Sequence, residues 1–329
     1  MQKLELQRPV SQKRVPSSGT QYAWLHYETL DSTNAEANRL YKAGKIVQPT
    51  ILLADSQTAG RGTRGRQWVS PAKKGLYMSV IHPWESLLNP SLDEKPFAKK
   101  MNPAHAGPEY QSHPINNPGK TFMPADLWQW YALEQTVSNG SRSPSASPSA
   151  ISSNPLNQSF PGFNASFTMA AAVAAIQTLH SRLDPETGLG PETGVGIKPV
   201  NDLFFQNKKL GGILVEAIMH AGQCNAVITG FGLNVMDDPA VSSYAGQTGQ
   251  YGATSLSACF PKAIAGQWQS TAALVSNVIQ DLAEIYAINL DNCYRALFND
   301  AGSKALYQEY LTFTHLYFQQ TPVSLSRHD

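Results

Sequence analysis

Residues 196–230 read GIKPVNDLFFQNKKLGGILVEAIMHAGQCNAVITG, and this stretch decides the fold class. Runs of apolar and β-branched residues alternate in it with residues that favour turns. Strands are predicted at Gly196–Lys198, Asp202–Gln206, Leu210–Met219 and Asn225–Gly230, with turns at Asn207–Lys209 and Ala221–Gln223. Because neighbouring strands joined by short turns run in opposite directions, the stretch predicts an antiparallel meander.

The chain on either side of the meander supplies more strands and several helices. Residues 31–44 predict a helix capped by Asp31 or Ser32, with Thr33 and Glu36 matching a capping box. Further strands are predicted at Tyr22–Glu28, Thr50–Asp55 and Leu76–His82. Ala165–Leu183 predicts a tightly packed helix. Two amphipathic helices follow, with faces formed by Leu274, Val278, Leu282 and Ile285, and by Tyr294, Leu297, Phe298, Ala305, Leu306, Tyr310 and Leu311.

Together these elements predict an α+β fold with a mixed or antiparallel sheet and helices largely on one face. Residues 1–21 are polar and are expected to be a flexible lead-in. Residues 22–312 are expected to form one large domain. Within it, residues 85–161 are rich in Asn, Pro, Ser and Gly and predict a disordered insertion.

The composition argues against several classes of protein. The chain of 329 residues has 25 Lys+Arg against 24 Asp+Glu, and this balance gives no electrostatic case for binding nucleic acid or a membrane surface. Cys224, Cys259 and Cys293 are widely spaced, which supports neither a zinc site nor a disulfide framework. Since no signal-like or membrane-spanning apolar run is present, a cytoplasmic location is expected.

The loop from Gly60 to Arg66, GRGTRGR, matches G-x-G-x-x-G literally and follows a strand. It does not predict a dinucleotide site, because the strand-like residues 67–71 follow it where a helix should open. Arginine binds phosphate and carboxylate through its planar donor fork, and the adjacent Trp68 could stack on a purine. A solvated basic hairpin with Trp68 in the core is the alternative interpretation.

A second group of polar residues follows the first strand of the meander. Lys198 precedes a proline-containing turn and could act as a point charge for phosphate. Asn201 and Asp202 could bind Mg²⁺ or a ribose, although for Asp202 a turn role is the favoured interpretation. Lys209, before Gly211 and Gly212, could approach phosphate or decorate a hairpin.

In order along the chain, these segments resemble the biotin–protein ligase family (biotin–[acetyl-CoA-carboxylase] ligase or holocarboxylase synthetase). The matching residues are Asp31–Asn34, Gln57–Gly62 continuing through Arg66–Trp68 with Ser70-Pro71, Gly75–Ser79, Lys209–Glu216, Gly232–Val235 and Ala253–Leu256. Lys198–Asp202 stands where the family has K-W-P-N-D. The resemblance implies a catalytic domain over residues 22–312 of the type also seen in class II aminoacyl-tRNA synthetases. It also implies that residues 313–329 are the remnant of a C-terminal SH3-like barrel, with a strand at Val323–Ser326.

The resemblance implies an ATP-dependent ligase that forms biotinyl-5′-AMP and transfers biotin to a lysine of a carboxylase biotin carboxyl-carrier domain. Mg²⁺ would be held mainly by the ATP phosphates, with no certain protein ligand. The family pattern also allows a homodimer. By the same resemblance, Lys198 and Arg61 are the catalytic residues. Biotin would contact Ser32, Thr33, Asn34, Gln57, Gly60, Arg61, Gly62, Thr63 and Lys198, and ATP or the adenylate would contact Arg64, Arg66, Trp68, Asn201, Lys209 and Asn234.

Two departures from the family pattern bear on this expectation. Thr63 stands where most members have a further arginine, which should weaken retention of the adenylate. Pro199-Val200 replaces Trp-Pro, which leaves a lipoate or octanoate ligase of the same superfamily as an alternative. A non-catalytic biotin-binding protein is a second alternative.

Overall fold

The computed structural model describes residues 9–16, 21–88, 161–183, 194–238, 241, 251–260 and 272–320. Within these residues the strands are β1 (Ser11–Pro16), β2 (Gln21–Leu30), β3 (Thr50–Gln57), β4 (Gly75–Pro83), β5 (Val195–Lys198), β6 (Asp202–Phe205), β7 (Lys208–His220) and β8 (Gln223–Asn234). The helices are α1 (Thr33–Lys42), α2 (Trp84–Leu88), α3 (Pro161–Leu183), α4 (Leu256–Cys259), α5 (Ala272–Ala296) and α6 (Asp300–Gln320).

The described strands form one sheet in the order β1-β2-β3-β4-β8-β7-β6-β5. The β5–β8 meander predicted from the sequence is confirmed, since each of its neighbouring pairs is antiparallel. The β2–β3 pair is parallel, because α1 carries the chain back across the sheet between the two strands. The fold class is therefore α+β with a mixed, mostly antiparallel sheet.

The helices divide unequally between the two faces of the sheet. Helices α3, α5 and α6 share the larger apolar core with one face, where Ile51, Met78 and Phe231 are buried. The alanines at 170–172, 174 and 175 are fully buried, which lets α3 approach its neighbours closely. Among the described helices, α1 is the one that packs into the smaller core on the opposite face.

The two ends of the described chain differ from the sequence-based prediction. Residues 11–16, expected to belong to a flexible lead-in, form β1 and pair antiparallel with β2. No apolar alternation along residues 11–16 marks this strand in the sequence.

Helix α6 runs across residue 312, the expected end of the large domain. Helix α6 continues to Gln320, because Leu306, Tyr310, Phe313 and Tyr317 recur at helical spacing and are all buried. Residues 313–320 are thus helical. The strand expected at Val323–Ser326 lies outside the described residues.

Other predicted boundaries shift slightly. Tyr294 lies in α5, and Leu297 and Phe298 lie in the turn before α6 rather than in that helix. Of the expected insertion, residues 85–88 belong to α2 and Pro161 begins α3, while the remainder lies outside the described residues. No helix in the described part of the chain is long and apolar enough to cross a membrane.

His82 is fully buried between the sheet and α5, and its hydrogen bonds identify its neutral tautomer. The Tyr22 hydroxyl donates its single hydrogen to the Ala287 carbonyl at 3.0 Å. His82 Nε2, 3.0 Å from the same hydroxyl, must therefore carry the proton and donate it. Nδ1 is then a bare acceptor, and it has no hydrogen-bond partner among the described residues.

Acidification is expected to destabilise the protein through His82. Burial is the largest cause that lowers its pKa to about 4, and Arg295 adds to it, whereas Asp291 acts in the opposite direction. The unfolded chain takes up this proton near pH 6.5, so the free energy of unfolding falls as the pH drops from about 6.5 to about 4. This difference in pKa corresponds to at most about 3–4 kcal/mol in the free energy of unfolding.

Urea unfolding at pH 7 and pH 4.5 would measure the effect in the wild-type protein and in a His82→Gln variant. The wild type should lose more stability between the two pH values than the variant does. His220→Gln, which removes an exposed histidine, should lose as much as the wild type. Equal losses in the wild type and His82→Gln would contradict the assignment.

Candidate functional site

A cavity of about 270 Å³ lies on the α1 side of the sheet, over β7 and β8. Most of the site residues predicted from the sequence line it, although they come from the start of α1 and from several separate strands and loops. These are Ser32, Thr33, Asn34, Gln57, Arg61, Gly62, Thr63, Arg66, Trp68, Lys198, Asn201, Lys209 and Asn234. Gly60 and Arg64 do not line this cavity.

An ion-pair cluster holds the residues that lead into α1. Arg39 binds both carboxylate oxygens of Asp31, at 2.6 and 2.8 Å, and also binds Glu36 at 2.7 Å. The hydrogen bond from Arg39 lowers the pKa of Asp31 and keeps it ionised. Glu36 is thereby engaged by Arg39, and the Ser32 side chain makes no capping hydrogen bond, so the predicted capping box does not form.

A buried hydrogen-bond network begins at Gln57, the last residue of β3. Its amide oxygen accepts from the Thr33 backbone N–H at 2.9 Å, and its amide nitrogen donates to Ser70 Oγ at 2.9 Å. The Thr33 hydroxyl lies 2.8 Å from Ser79 Oγ on the neighbouring strand β4. The loop, the helix start and the sheet are thus joined at one end of the cavity.

Asn34 continues this network across the sheet. Its side-chain oxygen accepts from Ser79 Oγ at 2.6 Å, and its amide nitrogen donates to Glu216 Oε2 at 2.8 Å and to the Leu214 carbonyl at 3.3 Å. The side chain lies directly on Gly230, where an added Cβ would come 2.4 Å from Asn34 Oδ1. Gly230 therefore makes space for Asn34, and this close approach is what requires glycine there.

The glycine–arginine loop is a hairpin. The Trp68 N–H donates to the Gly60 carbonyl at 2.8 Å, and the Gly62 N–H donates to the Arg66 carbonyl at 2.7 Å. Arg64 lies at the tip with φ 59° and is exposed, which explains why it does not line the cavity. The loop thus has the hairpin geometry of the alternative interpretation, a solvated basic hairpin. It also contributes Arg61 and Arg66 to the cavity wall.

Trp68 packs on a pair of glycines at the centre of the sheet. Gly212 and Gly232 are opposite each other on β7 and β8. An added Cβ at Gly232 would lie 2.6 Å from Trp68 Cε2, and one at Gly212 would lie 3.4 Å from Cζ3. The indole nitrogen is buried and has no hydrogen-bond partner among the described residues. Trp68 thus lines the cavity with a donor still available.

The cations of the cavity differ in what they contact. Arg61 pairs with Glu216 at 3.0 Å, and Lys209 pairs with Asp202 at 2.7 Å. Lys198 instead lies over the ring of Tyr251, with Nζ 4.4 Å from the centroid. The favoured turn role of Asp202 is wrong, because Asp202 lies in β6 and its carboxylate serves Lys209.

The two predicted asparagines use their amide nitrogens to hold the backbone around the cavity. Asn201 donates to the Ile213 carbonyl at 2.9 Å, and Asn234 donates to the Thr254 carbonyl at 3.0 Å. The Arg66 guanidinium donates to the Thr63 hydroxyl at 3.0 Å, so the Thr63 side chain orients Arg66.

Sequence reasoning assigned no role to three residues that the fold brings to the site: Ser79, Glu216 and Tyr251. Ser79 and Glu216 are the last residues of two segments, 75–79 and 209–216, that carry the resemblance described above. Their positions in the sequence could therefore have indicated that they lie at the site. Tyr251 carries no such signal, because its contact with Lys198 depends on how the segment before α4 docks on β7.

No protein-family model matches the chain. Solved structures similar in fold include biotin protein ligase from Leishmania major in complex with biotin, at 18% identity and a TM-score of 0.47, covering 88% of this chain and 80% of that one. Biotin protein ligase from Aquifex aeolicus in complex with biotin and ATP has 19% identity and a TM-score of 0.40, covering 81% and 69%. Biotin acetyl coenzyme A carboxylase synthetase from Helicobacter pylori has 12% identity and a TM-score of 0.36, covering 79% and 73%. The similarity is one of fold.

Proposed function

We propose that this chain is an ATP-dependent ligase that adenylates biotin and transfers it to a lysine of a carboxylase biotin carboxyl-carrier domain. One observation carries the proposal. A single cavity combines a buried network of amides and hydroxyls at the start of α1 with Arg61, Arg66, Lys198 and Lys209 on its wall. A ligand with a polar uncharged head and an anionic tail matches this distribution of groups.

The polar network supports biotin over the alternative acids. Ser32, Thr33 and Asn34 are each at most 4% exposed, so a ligand head placed against them is removed from water. A ureido ring has donors and acceptors that can exchange hydrogen bonds with such groups, whereas the methyl end of octanoate and the dithiolane of lipoate have none to offer them. Sites built to hydrogen-bond a ligand discriminate strongly against analogues that lack those groups.

In the first proposed step, a biotin carboxylate oxygen attacks the α-phosphorus of ATP. The new O–P bond forms as the bond to pyrophosphate breaks, and pyrophosphate leaves with that electron pair. Because both reactants are anions, Lys198 and Arg61 would lower their repulsion and stabilise the charge that develops on the phosphoryl oxygens. For Arg61 this requires leaving Glu216, an exchange that the half-exposed ion pair allows.

In the second proposed step, the amine of an acceptor lysine attacks the acyl carbon of biotinyl-5′-AMP. The amide bond forms, the amine loses a proton, and AMP leaves with the electrons of the anhydride bond. The hairpin at residues 60–68 would cover the anhydride and exclude water from it. No residue of the chain needs to bond covalently to biotin in either step.

Mg²⁺ would accompany the ATP phosphates in this proposal. The described residues contain no group of three or more His, Cys, Asp or Glu side chains arranged to hold a metal ion. Mg²⁺ commonly keeps its waters and binds through substrate phosphates with few protein ligands. The ion would neutralise phosphate charge, and the chain would contribute mainly its cations.

ATP–pyrophosphate exchange tests the proposal directly. The purified chain is incubated with Mg²⁺, ATP and labelled pyrophosphate, and biotin, lipoate, octanoate and no acid are compared. Exchange that depends on biotin is the expected result, followed by labelling of a biotin carboxyl-carrier domain. Exchange with lipoate or octanoate alone would indicate a lipoate or octanoate ligase instead. Biotin binding without exchange would indicate a non-catalytic biotin-binding protein.

Thr63→Arg is expected to slow the escape of the adenylate. An added cation at the hairpin should retain the adenylate phosphate longer, as the family pattern has an arginine there. Release of preformed biotinyl-5′-AMP into a chase of unlabelled ligand should therefore be several-fold slower in the variant. Thr63→Val, which removes the hydroxyl that accepts from Arg66 without adding charge, serves as the control. Equal release rates from the wild type and Thr63→Arg would refute the expectation.

A further inference from the structure

The ammonium group of Lys198 lies close to two aromatic rings. Its Nζ lies 4.4 Å from the centroid of Tyr251 and 5.7 Å from that of Phe204. The two rings meet edge to face at 5.2 Å and 87°, so they form a corner rather than a flat wall. Aromatic faces attract a cation electrostatically without cancelling its net charge.

The carboxylate best placed to neutralise Lys198 is engaged elsewhere. Asp202 is the direct cross-strand neighbour of Lys198 in the β5–β6 pair. Its Oδ1 lies 2.7 Å from Lys209 Nζ instead. Lys198 forms no ion pair with any residue in the described ranges. Within those ranges no carboxylate neutralises the positive charge of Lys198, in contrast to the charges of Arg61 and Lys209.

The aromatic corner is held from both sides. The Lys209 backbone N–H donates to the Gly252 carbonyl at 2.8 Å, and the Thr254 N–H donates to the Lys209 carbonyl at 2.9 Å. These two bonds fix the backbone that carries Tyr251. Phe204 is 2% exposed and packs against Tyr317 of α6, with ring centroids 5.3 Å apart.

We propose that Tyr251 is a positioning residue, which with Phe204 behind it holds the Lys198 ammonium in the cavity by cation–π contact and leaves its charge for the substrate anions. The inference deepens the proposed function and rests on it for the chemical step. A carboxylate in place of the rings would hold the lysine equally well, but it would neutralise the charge that the phosphoryl transfer needs. The phenol oxygen has no part in this role, so phenylalanine should replace tyrosine.

The position of Lys198 can be measured without any activity. Reductive methylation with ¹³C-formaldehyde keeps the lysine charge and gives each lysine an NMR signal, and Lys198→Arg assigns the signal of Lys198. Ring currents should move this signal upfield of the other lysines in the wild type and in Tyr251→Phe. In Tyr251→Leu the signal should move back toward the exposed lysines.

The ATP–pyrophosphate exchange assay measures how the loss of the Tyr251 ring affects catalysis. In Tyr251→Leu the kcat of biotin-dependent exchange is expected to fall about tenfold, the size of a lost cation–π contact, with the KM for biotin nearly unchanged. Tyr251→Phe should stay within about twofold of the wild type. Phe205→Leu removes a ring from the same strand as Phe204, but one that packs on Phe260, and it should also leave kcat unchanged.

Each outcome separates this inference from the proposed function. An unmoved Lys198 signal in Tyr251→Leu overturns the inference, and so does a wild-type kcat in that variant despite a moved signal. A loss of kcat in Tyr251→Phe as large as in Tyr251→Leu would assign the effect to the hydroxyl and also overturn it. If the wild type gives no exchange with any acid, the proposed function fails, while the NMR signal still decides whether Tyr251 holds Lys198.

Discussion

Replacing Lys198 with methionine is expected to lower biotin-dependent ATP–pyrophosphate exchange by about 10²–10³-fold, the usual cost of removing a preorganised group that stabilises transition-state charge. Methionine keeps most of the side-chain stem, so contact with Tyr251 and Phe204 survives and only the charge is lost. Because the charge acts on the transition state, kcat should fall far more than the affinity for biotin. Exchange kinetics and biotin titration calorimetry together separate the two effects.

Lys208→Met is the matched control. Lys208 begins β7 close to the site but is exposed and does not line the cavity. Its loss should leave exchange within about twofold of the wild type and change stability by less than about 0.5 kcal/mol. If Lys198→Met retained exchange within about threefold, the charge at position 198 would not serve the reaction, and the assignment of Lys198 would be wrong.

Gly230→Ala is expected to disrupt the polar end of the cavity through a single added methyl group. That methyl would lie 2.4 Å from Asn34 Oδ1, so the Asn34 side chain must move. Since this side chain is held by Ser79, Glu216 and the Leu214 carbonyl, moving it breaks hydrogen bonds in a buried network. We expect a loss of about 1–3 kcal/mol in the free energy of unfolding and at least a tenfold loss of biotin affinity.

Gly252→Ala is the control, at a glycine where an added methyl group does not clash. An added Cβ there would meet nothing closer than 3.6 Å, which is ordinary van der Waals contact. Calorimetric titration with biotin and thermal unfolding should both leave this variant near the wild type. Wild-type biotin affinity in Gly230→Ala would show that the Asn34 network does not contact the ligand.

The sequence was most informative where local pattern and chemistry coincide. The meander of residues 196–230 was predictable because its strands are apolar, its turns are short, and neighbouring strands in the chain are neighbours in the sheet. Helix α6 was only partly predicted, because the polar residues between Phe313 and Gln320 hide a buried face that depends on packing against β5.

Most of the site residues predicted from the sequence line the cavity, although the sequence did not show what each of them contacts. Arg61 and Lys209 look alike as cations beside glycines, yet the fold pairs them with Glu216 and Asp202. Arg64 belongs to the same loop as Arg61, and the hairpin geometry carries it to an exposed tip. Such differences depend on contacts between distant segments, which spacing along the chain does not encode.

By itself, the sequence determined the fold class, the order of the strands in the meander and the set of polar and cationic residues available for chemistry. Only the tertiary structure decided which of those charges are neutralised, why residues 230 and 232 must be small, and that Tyr251 faces Lys198. The physical reason is the range of the interactions. Strand periodicity and turns are set by neighbours in the chain, whereas ion pairs and close packing are set by atoms that meet only when the sheet has formed.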